Sequence, residues 1–215
     1  MLATAVVLAC FTLLALMLAW SRALAGRRRS AIGHLMLATV TLVAGGFLGW
    51  LAARLAPYAP LVPGQPVAEI LFEQTGTRRF RATVTQLPEG RMQILELPGH
   101  QWRIDARTLA WQAAASNLGL RPLFQVERIT ARNTGSAGTP DVLAADFVLS
   151  GAGSDDLWTR VRSGSGWARF ASADRSIGPW RPMANGARFV VRLAGTGIAV
   201  EPMNEAAATA MRGLR

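Results

Sequence analysis

Six arginines recur at strand-like spacing in the second half of the chain, as Arg79 and Arg81, Arg103 and Arg107, and Arg188 and Arg192. A guanidinium offers five donors in a rigid fork and keeps its charge at any physiological pH. If neighbouring strands gather these six, they form an anion-binding face suited to phosphate or carboxylate groups, as on lipid headgroups, anionic envelope polymers or an acidic protein. The plainer reading is a solvated face built from the cation this composition favours. His100, beside the turn Pro98-Gly99, reads as a turn or strand-edge residue, because no motif supplies a Ser, Cys or carboxylate to make it a catalytic base. Asp155 and Asp156 follow Ser154 and precede an apolar stretch. Neighbours on a helix point about 100° apart, so a capping role beside the positive helix end explains them better than a metal site or an acid/base dyad. Cys10 is the only cysteine, so neither a disulfide within the chain nor a Cys-based metal site can form. No phosphate-binding loop, dinucleotide fingerprint or zinc spacing occurs. The sequence thus assigns no catalytic residue, no metal ligand and no cofactor.

The elements that must position these side chains begin with two apolar runs. Leu2 to Trp20 has only Thr4 and Thr12 as polar side chains besides Cys10, and Leu35 to Ala53 only Thr39 and Thr41. Nineteen helical residues reach about 28 Å, close to a hydrocarbon core of roughly 30 Å. Each run is long enough to span. The connector, residues 21–34, carries Arg22, Arg27, Arg28 and Arg29, against Arg54 alone after the second run. Basic residues in short loops stay cytoplasmic, so the expectation is an inner-membrane hairpin with both chain ends in the periplasm. Trp20 falls at one boundary, Trp50 and Tyr58 at the other, where amphipathic rings prefer to sit. Ala23-Leu24-Ala25 resembles a signal-peptide cleavage site, but no basic residue precedes the apolar run and three arginines would follow the cut.

A formal charge of +10 suggests nucleic acid until it is located. All 23 basic residues are arginine; five flank the spans, and the other 18 against 13 acids leave +5 downstream. Half the excess is therefore topogenic, and no nucleic-acid partner is expected. Within the second run Thr41, Gly45, Gly49 and Ala53 recur every four residues and lay a stripe of small side chains along one face. Ala5 with Ala9 and Ala15 with Ala19 repeat the spacing in the first run. The hairpin mate is the nearest partner for this helix-packing face, and a homodimer through the second span is the sharper alternative. No Asp, Glu, Lys or Arg lies inside either run, as a channel or transporter path would need.

Ala56 to Pro66 holds four prolines and reads as a stiff extended linker. A β-rich domain follows from Val67 to Met203, then an Ala-rich tail from Asn204 to Arg215 that reads as a frayed helix. Phe80, Ala82 and Val84 alternate with Arg79, Arg81, Thr83 and Thr85. Such period-two alternation predicts strands over Val67 to Glu73, Arg79 to Gln86, Arg91 to Leu97 and His100 to Arg107, joined as an antiparallel meander. Further strands are predicted over Leu123 to Ala131 and Val142 to Ser150. Short helices are predicted over Leu109 to Asn117 and after Ser154, and a loop over Asn133 to Pro140. Asn185-Gly186 reads as a hairpin turn between Trp180 to Met183 and Arg188 to Leu193, with Gly195-Thr196-Gly197 leading into Ile198 to Glu201. The fold class is therefore α+β, a transmembrane hairpin and then a mostly antiparallel exported domain, one curled sheet closed by one or two short helices.

FEQTG (Phe72 to Gly76), RFRATVT (Arg79 to Thr85), QWRIDAR (Gln101 to Arg107), NLGL (Asn117 to Leu120), DLW (Asp156 to Trp158), PMANGARFVV (Pro182 to Val191) and the closing EPMN resemble a group of uncharacterised proteobacterial two-span membrane proteins. That group often bears the label cation/multidrug efflux pump or multidrug transporter. The resemblance covers most of the chain after residue 66 and implies no assigned catalytic or binding residue. Two uncharged spans make no pump, so the label implies at most association with one. Three functions are expected in descending order: a non-enzymatic inner-membrane protein whose periplasmic domain binds or supports another envelope component, an accessory subunit of an efflux or transport complex, and an envelope enzyme with an unrecognised site.

Overall fold

The computed structural model describes residues 2–117, 120–133, 142–150, 157–164, 166, 170–194 and 197–213. The chain divides into two compact units, Met1–Ala56 and Pro57–Arg215. The first is a helical hairpin of α1 (Leu2–Leu24) and α2 (Arg28–Leu55). Both helices pass the length and composition needed to cross a membrane, at a mean hydropathy of 1.9. Their large apolar side chains point away from the hairpin: Met17 and Trp20 are each 72% exposed, which a soluble core helix would not tolerate. The connector is tighter than the composition suggested. Arg28 and Arg29 are good helix formers and belong to α2, leaving Ala25, Gly26 and Arg27 to turn the chain, with Gly26 in the left-handed region at φ 73°.

Along the expected packing face, Thr12 Oγ1 donates to Thr41 Oγ1 at 2.9 Å, and a Cβ on Gly45 would touch Leu8 Cβ at 3.4 Å. Thr41 and Gly45 thus meet the hairpin mate. Around Gly49 there is open space and Ala53 is exposed, so this half of the stripe lies clear of α1. Ala15, Ala19 and Ala38 are buried between the helices.

The second unit holds two antiparallel sheets rather than one. The five-stranded sheet runs β11 (Gly197–Pro202), β10 (Arg188–Ala194), β2 (Pro66–Gly76), β3 (Arg79–Gln86), β4 (Arg91–Pro98). The six-stranded sheet is built on the pair β5 (Gln101–Trp111) and β6 (Leu123–Asn133). β8 (Ala171–Ile177) and β9 (Arg181–Pro182) share the far edge of β5, while β1 (Ala59–Pro60) and β7 (Val142–Val148) share that of β6. The inner faces meet in an aromatic cluster. Trp102 of β5 lies 5.3 Å from Phe72 and 5.4 Å from Phe189, ring centre to ring centre, and all three are fully buried. Such pairs contribute roughly 0.5–1.5 kcal/mol each beyond their buried area.

Among the described residues three helices of one or two turns complete the unit: α3 (Ala113–Ser116), α4 (Leu157–Arg162) and α5 (Glu205–Arg212). On α4, Leu157, Trp158 and Val161 are buried. The tail is a capped helix instead of a frayed one. Asn204 Oδ1 accepts from Ala207 N at 3.0 Å and from Arg188 N at 3.1 Å, while its Nδ2 donates to the Gly186 carbonyl at 2.7 Å.

Four expectations change. The meander stops after β4, because β5 leaves for the other sheet. Its turn needs Gly99 (φ 121°), where a Cβ would strike the Arg132 backbone. Asn185-Gly186 does not close a hairpin: β9 pairs with β5 and β10 with β2, and Gly186 N donates to the Phe72 carbonyl at 2.8 Å. Leu109 to Trp111 continues β5 instead of starting a helix, since β8, a strand the sequence did not suggest, pairs with it there. Part of the proline-rich segment is also in the fold, with Ala59 opposite Phe124 and both Tyr58 and Ala59 buried. Ser154, Asp155, Asp156, Gly119 and most of the loop from Asn133 to Pro140 lie outside the described residues.

Candidate functional site: a buried arginine–glutamate cluster

Strand alternation sends Trp102, Ile104 and Ala106 of β5 inward and Arg103, Asp105 and Arg107 to the outer face of the six-stranded sheet. On β6 the register shifts: Asp105 pairs with Arg128 and Ala106 with Val126, so Glu127 is an extra residue in a β-bulge. Bulges re-aim a side chain, and this one places Glu127 among the cations of three strands. Its Oε1 accepts from Arg175 Nη2 at 2.7 Å, Arg107 Nη2 at 2.8 Å and Arg128 Nη2 at 3.1 Å. Glu127 is only 1% exposed.

Two tryptophans close over this layer. The guanidiniums of Arg107, Arg162 and Arg175 lie 4.6, 5.0 and 5.5 Å from the Trp158 ring, which α4 lays on the sheet. The Trp158 indole N–H donates at 3.2 Å to the carbonyls of Thr108 and Asp174, fixing the ring. Arg103 and Arg132 sit 4.8 and 4.2 Å from the Trp180 ring. At the β7 edge, Asp146 accepts from Arg128 at 2.8 Å and from the Thr130 hydroxyl at 3.2 Å. Arg132 Nε donates to Gln101 Oε1 at 2.8 Å.

The two buried carboxyls respond oppositely. Burial alone would raise Glu127, but hydrogen bonds from Arg107 and Arg128 and the field of Arg175 outweigh it and hold the carboxyl below its ordinary value. Burial does raise Asp105, against Arg103 at 3.6 Å and a hydrogen bond from the Gly178 backbone. Arg128 is raised in turn: burial opposes this, and Glu127 and Asp146 prevail. A carboxylate clamped by three guanidiniums is a poor proton shuttle, because its ionised form is fixed in charge and in place. Asp105 has the shifted affinity an acid or base needs, and neither the depression of about 210 Å³ on the five-stranded sheet nor the cleft of about 260 Å³ in the hairpin is lined by it.

The six arginines expected to form one face are divided between two. Arg103 and Arg107 belong to the buried layer just described. Arg79, Arg81, Arg188 and Arg192 lie on the outer face of the five-stranded sheet, interleaved with carboxylates. Glu73, Arg81 and Glu96 stand in one cross-strand row, and Arg192 Nε reaches Glu201 Oε2 at 3.1 Å. Among the described residues this face also carries Glu69 across from Val190, so guanidiniums and carboxylates are mixed on it. An open depression of about 210 Å³ on this face is lined by Leu71, Met92 and Met203 together with Glu69 and Arg188. His100 is placed as expected at the β4–β5 turn. Its N–H donates to the Arg132 carbonyl at 3.0 Å and its carbonyl accepts from Met183 at 2.8 Å. Among the described residues no group of three His, Cys, Asp or Glu could hold a metal ion.

Glu127 was not singled out from the sequence, although one signal exists: an acid followed by arginine interrupts the apolar strand Phe124-Gln125-Val126-Glu127-Arg128-Ile129. Fold and site together define a protein with two candidate membrane helices and a two-sheet β-rich unit whose outer layer on one side is a buried ion-pair network. No family model matches the chain, and no curated protein or solved structure matches it either.

Proposed function

We propose that this chain is a non-enzymatic protein of a bacterial inner membrane, anchored by the helical hairpin, whose β-rich unit binds or supports another envelope component on the periplasmic side. The observation that carries the reading is the hairpin: apolar side chains face outward along both helices while Arg22, Arg27, Arg28 and Arg29 crowd its turn. Arginines so placed resist translocation, which puts the turn in the cytoplasm and the following unit across the bilayer. The Glu127 layer supports a scaffold more than a reaction centre, since one oxygen of its carboxylate is committed to three guanidiniums. A reporter that fluoresces only in the cytosol, fused after Arg215, should stay dark; a bright fusion overturns the sidedness and the envelope role together.

The resemblance of the motifs to the efflux-labelled group suggests a narrower form of this reading, in which the supported component is a polytopic transporter. Purification from mild detergent should then bring such a transporter down with the chain, and its consistent absence from crosslinked preparations counts against the accessory-subunit form.

A further inference from the structure

The hairpin carries a feature that anchoring does not use. Near its turn lies an apolar cleft of about 260 Å³, lined by Leu16, Trp20 and Ala23 of α1 and by Ala31, Ile32 and Leu35 of α2. Alanines at 23 and 31 leave the space that larger side chains would fill. Arg22 occupies the last turn of α1, and Arg28 and Arg29 the first turn of α2, within one helical turn of those alanines. Arg27, Arg28 and Arg29 are exposed. No Asp or Glu precedes Glu69, so the hairpin has no carboxylate with which to neutralise its own turn.

We propose that this end of the hairpin binds one anionic phospholipid, with an acyl chain in the cleft and the phosphate among Arg22, Arg27, Arg28 and Arg29. The inference rests on the hairpin lying in a bilayer. There, hydrocarbon surrounds the helices everywhere, so the cleft gains packing contacts from a chain but does not choose between lipids. The choice comes from charge. Basic residues at a membrane surface attract anionic lipid by about 1 kcal/mol each, or about fivefold per guanidinium.

The test uses the full chain in mild detergent, with dioleoyl phosphatidylglycerol and dioleoyl phosphatidylcholine added in equal amounts and bound lipid counted by native mass spectrometry. Phosphatidylglycerol should be retained at least about tenfold over phosphatidylcholine, consistent with several guanidiniums acting together. The triple substitution Arg27→Gln, Arg28→Gln, Arg29→Gln should cut that preference to what Arg22 alone sustains, about fivefold or less, and lysine at the same three positions should restore most of it. Ala23→Phe, which fills the cleft and keeps every arginine, should lower retention of both lipids several-fold. Equal retention of the two lipids, an undiminished preference in the triple glutamine variant, or an unchanged adduct in Ala23→Phe each overturns the proposal. Alkaline carbonate washing of cell membranes separates the two readings. A chain that washes off sinks the anchor itself, whereas one that stays but shows no lipid preference sinks only the lipid site.

Discussion

On the outer face of the six-stranded sheet, Glu127 holds three guanidiniums on one oxygen at 1% exposure; on the outer face of the five-stranded sheet, Arg81 reaches Glu73 at 3.9 Å with about half of each side chain in solvent. The residue types are the same and the energetics are not. An exposed pair gains little over its hydrated ions and is worth about 0–1 kcal/mol. A buried one has already lost its water, so removing one partner strands the rest. What separates the two faces is cover: Trp158 and Trp180 lie over guanidiniums of the first, whereas the Arg81–Glu73 pair of the second stands about half in solvent. Arginine in a strand therefore says little about function until its cover is known.

The sharpest way to break this contrast is Glu127→Ala. It leaves Arg107, Arg128 and Arg175 facing one another under Trp158 and should cost about 3–5 kcal/mol in denaturant unfolding of the detergent-solubilised chain. A loss below about 1 kcal/mol would place the cluster in the same class as the exposed pairs.

Asp105 sharpens the contrast by sign. Because its folded value lies above its ordinary one, the buried charge destabilises at neutral pH, and that cost fades as pH falls through the folded value toward 3.8. Asp105→Asn should therefore raise the thermal midpoint at pH 7 by a few degrees, with the gap to the parent closing on acidification. Glu127 runs the other way. Its folded value is depressed, so its contribution is complete above 4.5 and is lost as pH falls through the folded value. Glu127→Gln should thus remove part of the acid sensitivity that Asp105→Asn leaves in place. The smallest effect belongs to Arg81→Ala on the exposed face, which should shift stability by less than about 1 kcal/mol and vanish into the parent curve in high salt.

Where alternation was strict the sequence was explicit. Arg79 to Gln86 reads as a strand residue for residue, because Phe80, Ala82 and Val84 must share one buried face. The two long helices were equally plain, since each run is apolar almost without interruption for nineteen residues, longer than a strand sustains. β8 escaped notice because Ala171-Ser172-Ala173-Asp174-Arg175-Ser176-Ile177 has hardly any apolar alternation; its strand character comes from pairing with β5. Asn185-Gly186 has hairpin chemistry, but turn residues specify a local bend and not which sheet each arm joins. The site was legible only in fragments. Arg103 and Arg107 were singled out, but their partner Glu127 depends on a one-residue bulge, and a bulge is decided by the pairing of two distant segments.

The order of the five-stranded sheet also constrains how the molecule comes into being. β2, the first strand of that sheet, sits between β3 and β10, and β10 in turn is held by β11 and by the Asn204 clip. Half of its backbone partners are thus made last, more than a hundred residues later, and closing so long a loop is slow. A growing or threading chain must keep Ile70 and Phe72 unsheltered until residues 188–204 emerge, which makes this interval the one in which a chaperone has most to offer.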